Sequence, residues 1–310
     1  MTGGLIDVHQ HFFSPGQKSR ELHRAHGHLT PQERLQGWSP DQIVEQMDAH
    51  RIARAIGSIS TPGVWNGSPT DSAHHAREWN EYAASLSVQY SGRFGFFAAI
   101  PLPATDVALA ELAHSDYFLH SAGVSLFTNY DGRYLGDAAF IPVFEEINRR
   151  GCLVFVHPTA PAYGRPIPEV LPQVIEFAFE TTRTILSLLI SGNLRRYPDI
   201  RWIFSHTGGA ISILADRIER LLMRPPYAEQ NQDGIRPMLN RLHFDIAGTE
   251  SVATIDALRA LVPHSQIVFG SDMPFVNASK SVDTLARLDI SSTEREAIAF
   301  ANARRLLVSR

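Results

Sequence analysis

The sequence predicts an α/β fold, a (β/α)8 TIM barrel forming one domain over residues 1–310, with long loops after strand 1 and before strand 7. Two observations lead there. Short apolar runs alternate with segments of helical spacing along the whole chain, and that alternation marks parallel βαβ units. The runs number eight, which suits a closed barrel; an open doubly wound sheet, the main rival, usually has fewer strands. Length alone would allow two domains, but barrels of this kind often run past ~250 residues as a single unit.

Each element can be justified in turn. Leu5 to His9 is a short apolar strand ending in histidines. Asp41 to His50 has helical spacing through Ile43, Val44 and Met47. Ala53 to Ser58 is the second strand, and Asp71 to Tyr90 a helix with Asp71 as its N-cap. Arg93 to Ile100 is the third strand and Asp106 to His120 the next helix. Gly123 to Phe127 is the fourth strand, followed by a helix from Asp137 to Arg150 that Gly151 stops. Leu153 to Val156 is the fifth strand. Glu169 to Arg196 is a long helical region interrupted early by Pro172. Ile200 to Ser205 is the sixth strand and Ala210 to Met223 its helix. Leu242 to Ile246, a helix from Ser251 to Leu261, and Gln266 to Phe269 supply the seventh and eighth strands. Thr293 to Val308 closes the chain as a helix. Two stretches exceed a minimal barrel, Phe13 to Ser39 and Met223 to Asn240. Long loops in compact domains are often lids or interface elements.

Composition narrows the function classes. The net charge of −4, with charged residues making up 19% and both signs interspersed, gives no basic stripe for a polyanion such as nucleic acid. The one cysteine, Cys152, cannot form an intrachain disulfide, and its apolar run Cys152-Leu153-Val154-Phe155-Val156 reads as core. No apolar stretch is long enough to span a bilayer, and the four residues before the first strand leave no room for a signal peptide. The expectation is a soluble, cytoplasmic protein with no membrane partner.

The unusual residues gather at strand ends. The first strand ends Asp7-Val8-His9-Gln10-His11, and residues two apart in a strand share a face, so both imidazoles can converge on one ion. The fifth ends Phe155-Val156-His157-Pro158, the sixth Phe204-Ser205-His206-Thr207-Gly208-Gly209, the eighth Phe269-Gly270-Ser271-Asp272. An isolated strand-end histidine is more often a hydrogen-bonded rim residue than a ligand. Independent core histidines, however, have no reason to choose the same end of one barrel, and in this fold the C-terminal strand ends form the active-site face. Nitrogen and carboxylate donors with an open position suit a catalytic divalent metal.

The chain resembles the decarboxylase branch of the amidohydrolase superfamily, which includes aminocarboxymuconate-semialdehyde, γ-resorcylate and 6-methylsalicylate decarboxylases. The likeness covers nearly the whole chain. It rests on DVHQHFF (7–13), STPGVWNG (60–67), GRFGFFAAIPLP (92–103), GRYLGDAAFIPVFEEINRRG (132–151), VFVHPT (154–159), EFAFETTR (176–183), FSHTGGA (204–210) and FGSDMPF (269–275), and is closest to the 6-methylsalicylate type. The resemblance implies His9, His11, His157 and Asp272 as ligands of one Zn2+ or Mn2+. It implies His206 as a non-ligating histidine that contacts metal-bound water or substrate, and Arg217 as the arginine that holds the substrate carboxylate. From the residues alone, Arg217 reads as a surface arginine whose stem lies along apolar neighbours. The family often forms dimers, so a homodimer or higher homo-oligomer is expected.

These roles imply a decarboxylase of a hydroxylated aromatic or related unsaturated carboxylic acid, with Asp272 and His206 as its acid–base pair. A hydrolase using the same metal site, with Asp272 as general base, is the leading alternative. A non-catalytic barrel is a third reading, which the intact set of five polar residues disfavours. Trp65, Tyr130 and Phe275 could pack on a flat substrate ring or simply anchor loops. Glu180 and Arg183 could support the site or pair along a helix. His23, His26 and His28 suggest a solvated lid or dimer contact more than a second metal site. Gly208 and Gly209 suggest close approach of backbone to substrate.

Overall fold

Eight strands run parallel: β1 (Leu5–His11), β2 (Ile52–Ser58), β3 (Phe94–Ala99), β4 (Gly123–Phe127), β5 (Leu153–His157), β6 (Arg201–Phe204), β7 (Leu242–Asp245) and β8 (Ile267–Val268). They neighbour one another in chain order. The computed structural model describes residues 4–18, 37–164, 167, 169–228 and 233–308. The β8 end meets β1 through Val8 N–H donating to Phe269 O at 3.1 Å and Asp272 N–H donating to His9 O at 2.8 Å. A parallel bridge between Gln10 and Met273 completes the seam, so the sheet closes as the alternating pattern predicts.

Helices fill the crossovers: α1 (Pro40–Ala49), α2 (Pro69–Gln89), α3 (Thr105–Tyr117), α4 (Ile141–Arg149), α5 (Glu176–Ile190), α6 (Ile211–Leu222), α7 (Val252–Leu261) and α8 (Ala278–Arg287), with α9 (Asn302–Val308) last. Among the described residues, no helix is long and apolar enough to cross a membrane. Several boundaries differ from expectation for local reasons. The N-cap of α2 is Ser68, not Asp71: the Ser68 hydroxyl accepts the Asp71 N–H, and Pro69 fits the first turn, where no N–H is needed. The long region after strand five is broken at Gly192, which takes φ +75°, a left-handed conformation that ends the helix. Helix α8 has no counterpart among the expected elements because its buried face uses small residues, Ala278, Ser281 and Thr284, beside Leu285. Cys152 lies one residue before β5 rather than inside it, and is buried.

Two apolar layers result. Between strands and helices lies a large aromatic-rich layer that includes Phe12, Trp79, Phe94, Phe96, Phe144 and Phe204. A smaller cluster of Ile6, Val8, Ile56, Phe97, Leu153, Phe155, Ile203 and Val268 packs with Ala303 and Leu306 of α9. In it Phe97 and Phe155 stack with centroids 5.3 Å apart, and the His9 ring meets Phe155 edge-on at 5.0 Å. The pairing of β1 with β2 slips by a residue between Asp7 and Gln10. That bulge changes the parity of the strand, so Val8 packs in the smaller cluster while His9 and His11 face the other rim histidines.

Candidate metal centre at the C-terminal rim

Each strand end delivers one part of the site. His9 and His11 close β1, His157 closes β5, His206 begins the turn after β6, Asp245 closes β7, and Asp272 lies in the loop after β8. One donor atom from each of His9, His11, His157 and Asp272 lies within 4.8 Å of the others. The Nε2 atoms of His9 and His11 are 3.3 Å apart, and Asp272 Oδ1 is 3.5 Å from the first and 3.2 Å from the second. The His157 ring stands 4.8 Å from that of His11 and 5.2 Å from that of His9.

Hydrogen bonds on the far side of the rings leave the facing atoms free. His9 Nδ1 lies 2.9 Å from Asp245 Oδ2, and His157 Nδ1 lies 2.8 Å from Pro158 O. Both partners are acceptors, so each Nδ1 carries the proton and each Nε2 keeps its lone pair. Asp272 Oδ1 is buried, and its neighbours are the Nε2 atoms of His9 and His11 rather than a donor outside the cluster. Three imidazoles and a carboxylate with a spare donor atom, packed this closely and with no thiolate among them, fit one divalent cation. A buried carboxylate oxygen set against imidazole lone pairs would otherwise be costly.

The backbone supports this crowding. Asp7 is fully buried and accepts from His9 N at 3.1 Å, Gln10 Nε2 at 2.7 Å, Ser271 N at 3.0 Å and Ser271 Oγ at 2.5 Å, tying β1 to the Asp272 loop. Burial pushes its carboxyl up to about 6 despite these bonds. Asp272 and His206 both take positive φ, +68° and +53°, strain of the kind that collects at functional sites. His206 Nδ1 lies 2.9 Å from Ala247 O, which places the lone pair on Nε2, and its ring stands 4.8 Å from that of His9. Burial holds the His157 imidazole well below its ordinary range, and the neighbouring histidines reinforce this. Burial likewise lowers His11. For His9, burial pulls down, but Asp245 and the other carboxylates win and raise it. For Asp272, burial pushes up, but the hydrogen bond from His11 and the adjacent histidines hold the carboxyl below its usual range.

The other expected residues fare differently. Phe275 meets the His11 ring edge-on at 5.2 Å and Phe13 at 6.0 Å, beside the cluster. Tyr130 is buried, its hydroxyl accepting the Phe127 N–H at 3.0 Å, which anchors the loop after β4. Trp65 donates through Nε1 to Asp131 at 2.9 Å. Arg217 is exposed on α6, with no hydrogen bond or ion pair among the described residues. Glu180 is fully buried and accepts from Asn129 Nδ2, Tyr134 OH and Arg183 Nη1 at 2.8, 2.8 and 2.9 Å, joining α5 to the loop after β4 rather than touching the histidines. Gly209 is set by packing and not by a ligand: a Cβ there would lie 2.0 Å from Ala178 O, at φ +67°. His23, His26 and His28 lie outside the described residues. Sequence reading missed Asp245, Asp7 and Phe177, whose ring stands 6.1 Å from that of His157. Asp245 carried a usable signal, a carboxylate closing the strand-like run Leu242-His243-Phe244.

Polar groups gathered at the C-terminal ends of β1, β5, β6, β7 and β8 are the arrangement of barrel enzymes, whose chemistry sits on this face. The chain belongs to the amidohydrolase family, whose model matches residues 6–308. It is 34% identical over 314 residues to the decarboxylase yanB of Aspergillus niger, covering 96% of this chain and 85% of that protein. It is 35% identical over 278 residues to the 6-methylsalicylic acid decarboxylase acuB of Aspergillus aculeatus, covering 87% of this chain and 84% of that one. Among solved structures, an amidohydrolase II superposes with a TM-score of 0.88 at 26% identity, covering 98% of this chain and 100% of its own. A dihydroxybenzoic acid decarboxylase from Polaromonas, solved with manganese and 2-nitroresorcinol, shares the fold with a TM-score of 0.84 at 22% identity, covering 98% and 97%.

Proposed function

We propose that this chain is a metal-dependent, non-oxidative decarboxylase of a hydroxylated aromatic carboxylic acid, with salicylate derivatives as its substrate class. The observation that carries the reading is its identity with fungal decarboxylases, 34% and 35%, over 96% and 87% of the chain. The converging donor atoms supply the means.

His9, His11, His157 and Asp272 would hold the ion, and Zn2+ and Mn2+ both suit such an N/O set. When bound, the ion supplies Lewis-acid stabilisation of negative charge on the substrate oxygens. The protein does the rest. Burial pushes the Asp272 carboxyl up, but His11 and the neighbouring histidines pull it below its usual range, which favours the carboxylate at rest. The proton it delivers therefore arrives with the substrate, from the acid or the ortho hydroxyl. Asp272 passes that proton to the ring carbon bearing the carboxylate. The C–C bond then breaks, its electron pair returns to the ring, and CO2 leaves. His206, with Nε2 unprotonated, holds the polar network and shares the proton movement. Phe275, backed by the fully buried Phe13, supplies an apolar wall for a flat ring.

Arg217 remains the candidate for holding the carboxylate. If it does, Arg217→Ala raises KM about tenfold or more; an unchanged KM returns it to a surface arginine. The expected dimer is supported by apolar side chains left exposed on neighbouring helices, with Phe179 at 37% on α5 and Ile213 at 73% on α6.

A hydrolase is the second reading: against the upward push of burial, the histidines packed around Asp272 pull its carboxyl below its usual range, which suits a base that takes a proton from water. Incubation in 18O-labelled water with ortho-hydroxybenzoates and, in parallel, with their amides and lactones separates the two. CO2 release from the free acids supports decarboxylation; no CO2, with 18O entering the carboxylate formed from an amide or lactone, overturns it.

A further inference from the structure

The Asp245 carboxylate is fully buried and spends both oxygens on the site. Oδ2 meets His9 Nδ1 at 2.9 Å. Oδ1 accepts the backbone N–H groups of His206 at 3.0 Å and Ala247 at 2.9 Å. Ala247 in turn offers its carbonyl to His206 Nδ1 at 2.9 Å, closing a ring of bonds around the His206 imidazole. Its setting is tight: a Cβ on Gly270 would lie 3.1 Å from Asp245 Cβ and 2.9 Å from His9 Cβ, and one on Gly248 would lie 3.3 Å from His206 Nδ1. His206 and Thr207 hold φ +53° and +57°, a conformation that needs outside support.

We infer that Asp245 is a positioning residue that sets two histidines at once: it fixes the proton of His9 on Nδ1, leaving Nε2 for the ion, and it clamps the His206 turn so that its imidazole faces the same space. The inference rests on the metal-site reading above. Carboxylates behind metal-binding histidines orient the ring and raise its basicity, and removing one typically costs about 10–100-fold in metal affinity or activity. Here the same carboxylate also reaches the acid–base histidine.

Asp245→Asn separates the roles without changing size. The two backbone N–H groups can be served only by the amide oxygen, so the amide NH2 must face His9. His9 Nδ1 then becomes an acceptor, and its proton moves to Nε2, where it blocks the ion. The test is 15N NMR of histidine-labelled, metal-free protein, with His9 assigned by its loss in His9→Gln, followed by titration with Zn2+ against a chelator. The wild type should show His9 protonated on Nδ1, a result that needs no variant to fold. Asp245→Asn should show the Nε2 tautomer, about 10–100-fold weaker Zn2+ binding, and a lowered kcat even at saturating metal. Combining it with His206→Asn should reduce kcat no further than His206→Asn alone. An Nε2 tautomer in the wild type overturns the inference. So does Asp245→Asn that binds Zn2+ as the wild type does, or that loses affinity with the His9 tautomer unchanged. A wild type that binds no Zn2+ defeats the metal-site reading itself.

Discussion

The two ends of the barrel bury polar groups in opposite ways. At the N-terminal end Arg201, Arg150 and His243 are held by structural bonds. Arg201 donates to Gly151 O at 2.9 Å and also reaches Leu306 O. Arg150 pairs with Asp116 and Glu146, both at 2.7 Å. His243 sits at 3.2 Å from Trp202 O, and burial pushes its imidazole down to about 4. At the C-terminal end the bonds are arranged so that something is left over. Two residues along β7 from His243, Asp245 turns one face of His9 into a donor and leaves the other a free lone pair. Asp272 Oδ1 is buried and faces only the Nε2 atoms of His9 and His11, at 3.5 and 3.2 Å. Burial is common to both ends, so burial does not mark function; the convergence of several donor atoms on one space does.

That comparison can be broken in several places. Asp272→Asn should have the largest effect: CO2 release should fall by about 10²–10⁴-fold, as for loss of a general acid, with the circular dichroism spectrum unchanged. A near-normal rate would remove Asp272 from the chemistry. His206→Asn should lower kcat by about 10²-fold while the bound metal, measured by elemental analysis, stays the same. Loss of metal in that variant would make His206 a ligand instead.

The N-terminal end should respond in stability and not in rate. Arg201→Ala leaves the Gly151 and Leu306 carbonyls without their donor and should cost about 1–3 kcal/mol in denaturant unfolding, with kcat unaltered. A fall in kcat at saturating substrate would mean that the two ends are coupled. The smallest effect concerns pH. The folded-state pKa of His243 lies below its ordinary value of roughly 6.5. The unfolded chain therefore binds the extra proton first as pH falls. His243 should contribute to a loss of stability between pH ~6.5 and about 4, on the order of 2–3 kcal/mol in all. His243→Gln should flatten the stability curve across that interval, and an unchanged slope would place the titration elsewhere.

Much of this was legible in the sequence because barrels announce themselves by rhythm. Gly123–Phe127 has the same bounds in sequence and structure. Polar residues that follow apolar runs pointed to the rim: His157 after Leu153–Val156, Asp272 after Ile267–Phe269. What stayed hidden depends on relations between strands. The bulge between Asp7 and Gln10 is a property of the pairing with β2, and no single strand reveals it. Asp245 looked like a polar residue within a strand taken to end at Ile246, and only the closed barrel shows its carboxylate behind His9. Arg217 was given its role by resemblance, while its apolar helical neighbours suggested a surface position; in the structure it is exposed. Helix α8 escaped notice because periodicity registers large apolar side chains, and its buried face is mostly small.

The central claim is that the unspent donors at the C-terminal rim hold one ion that makes decarboxylation possible. The most direct measurement is CO2 release from a panel of ortho-hydroxybenzoates by chelator-stripped protein titrated with Zn2+ or Mn2+. The account predicts no CO2 from the stripped protein, and release that rises with added metal and levels off near one ion per chain. CO2 release at full rate without metal, or none from any member of the panel once one ion is bound, would contradict it.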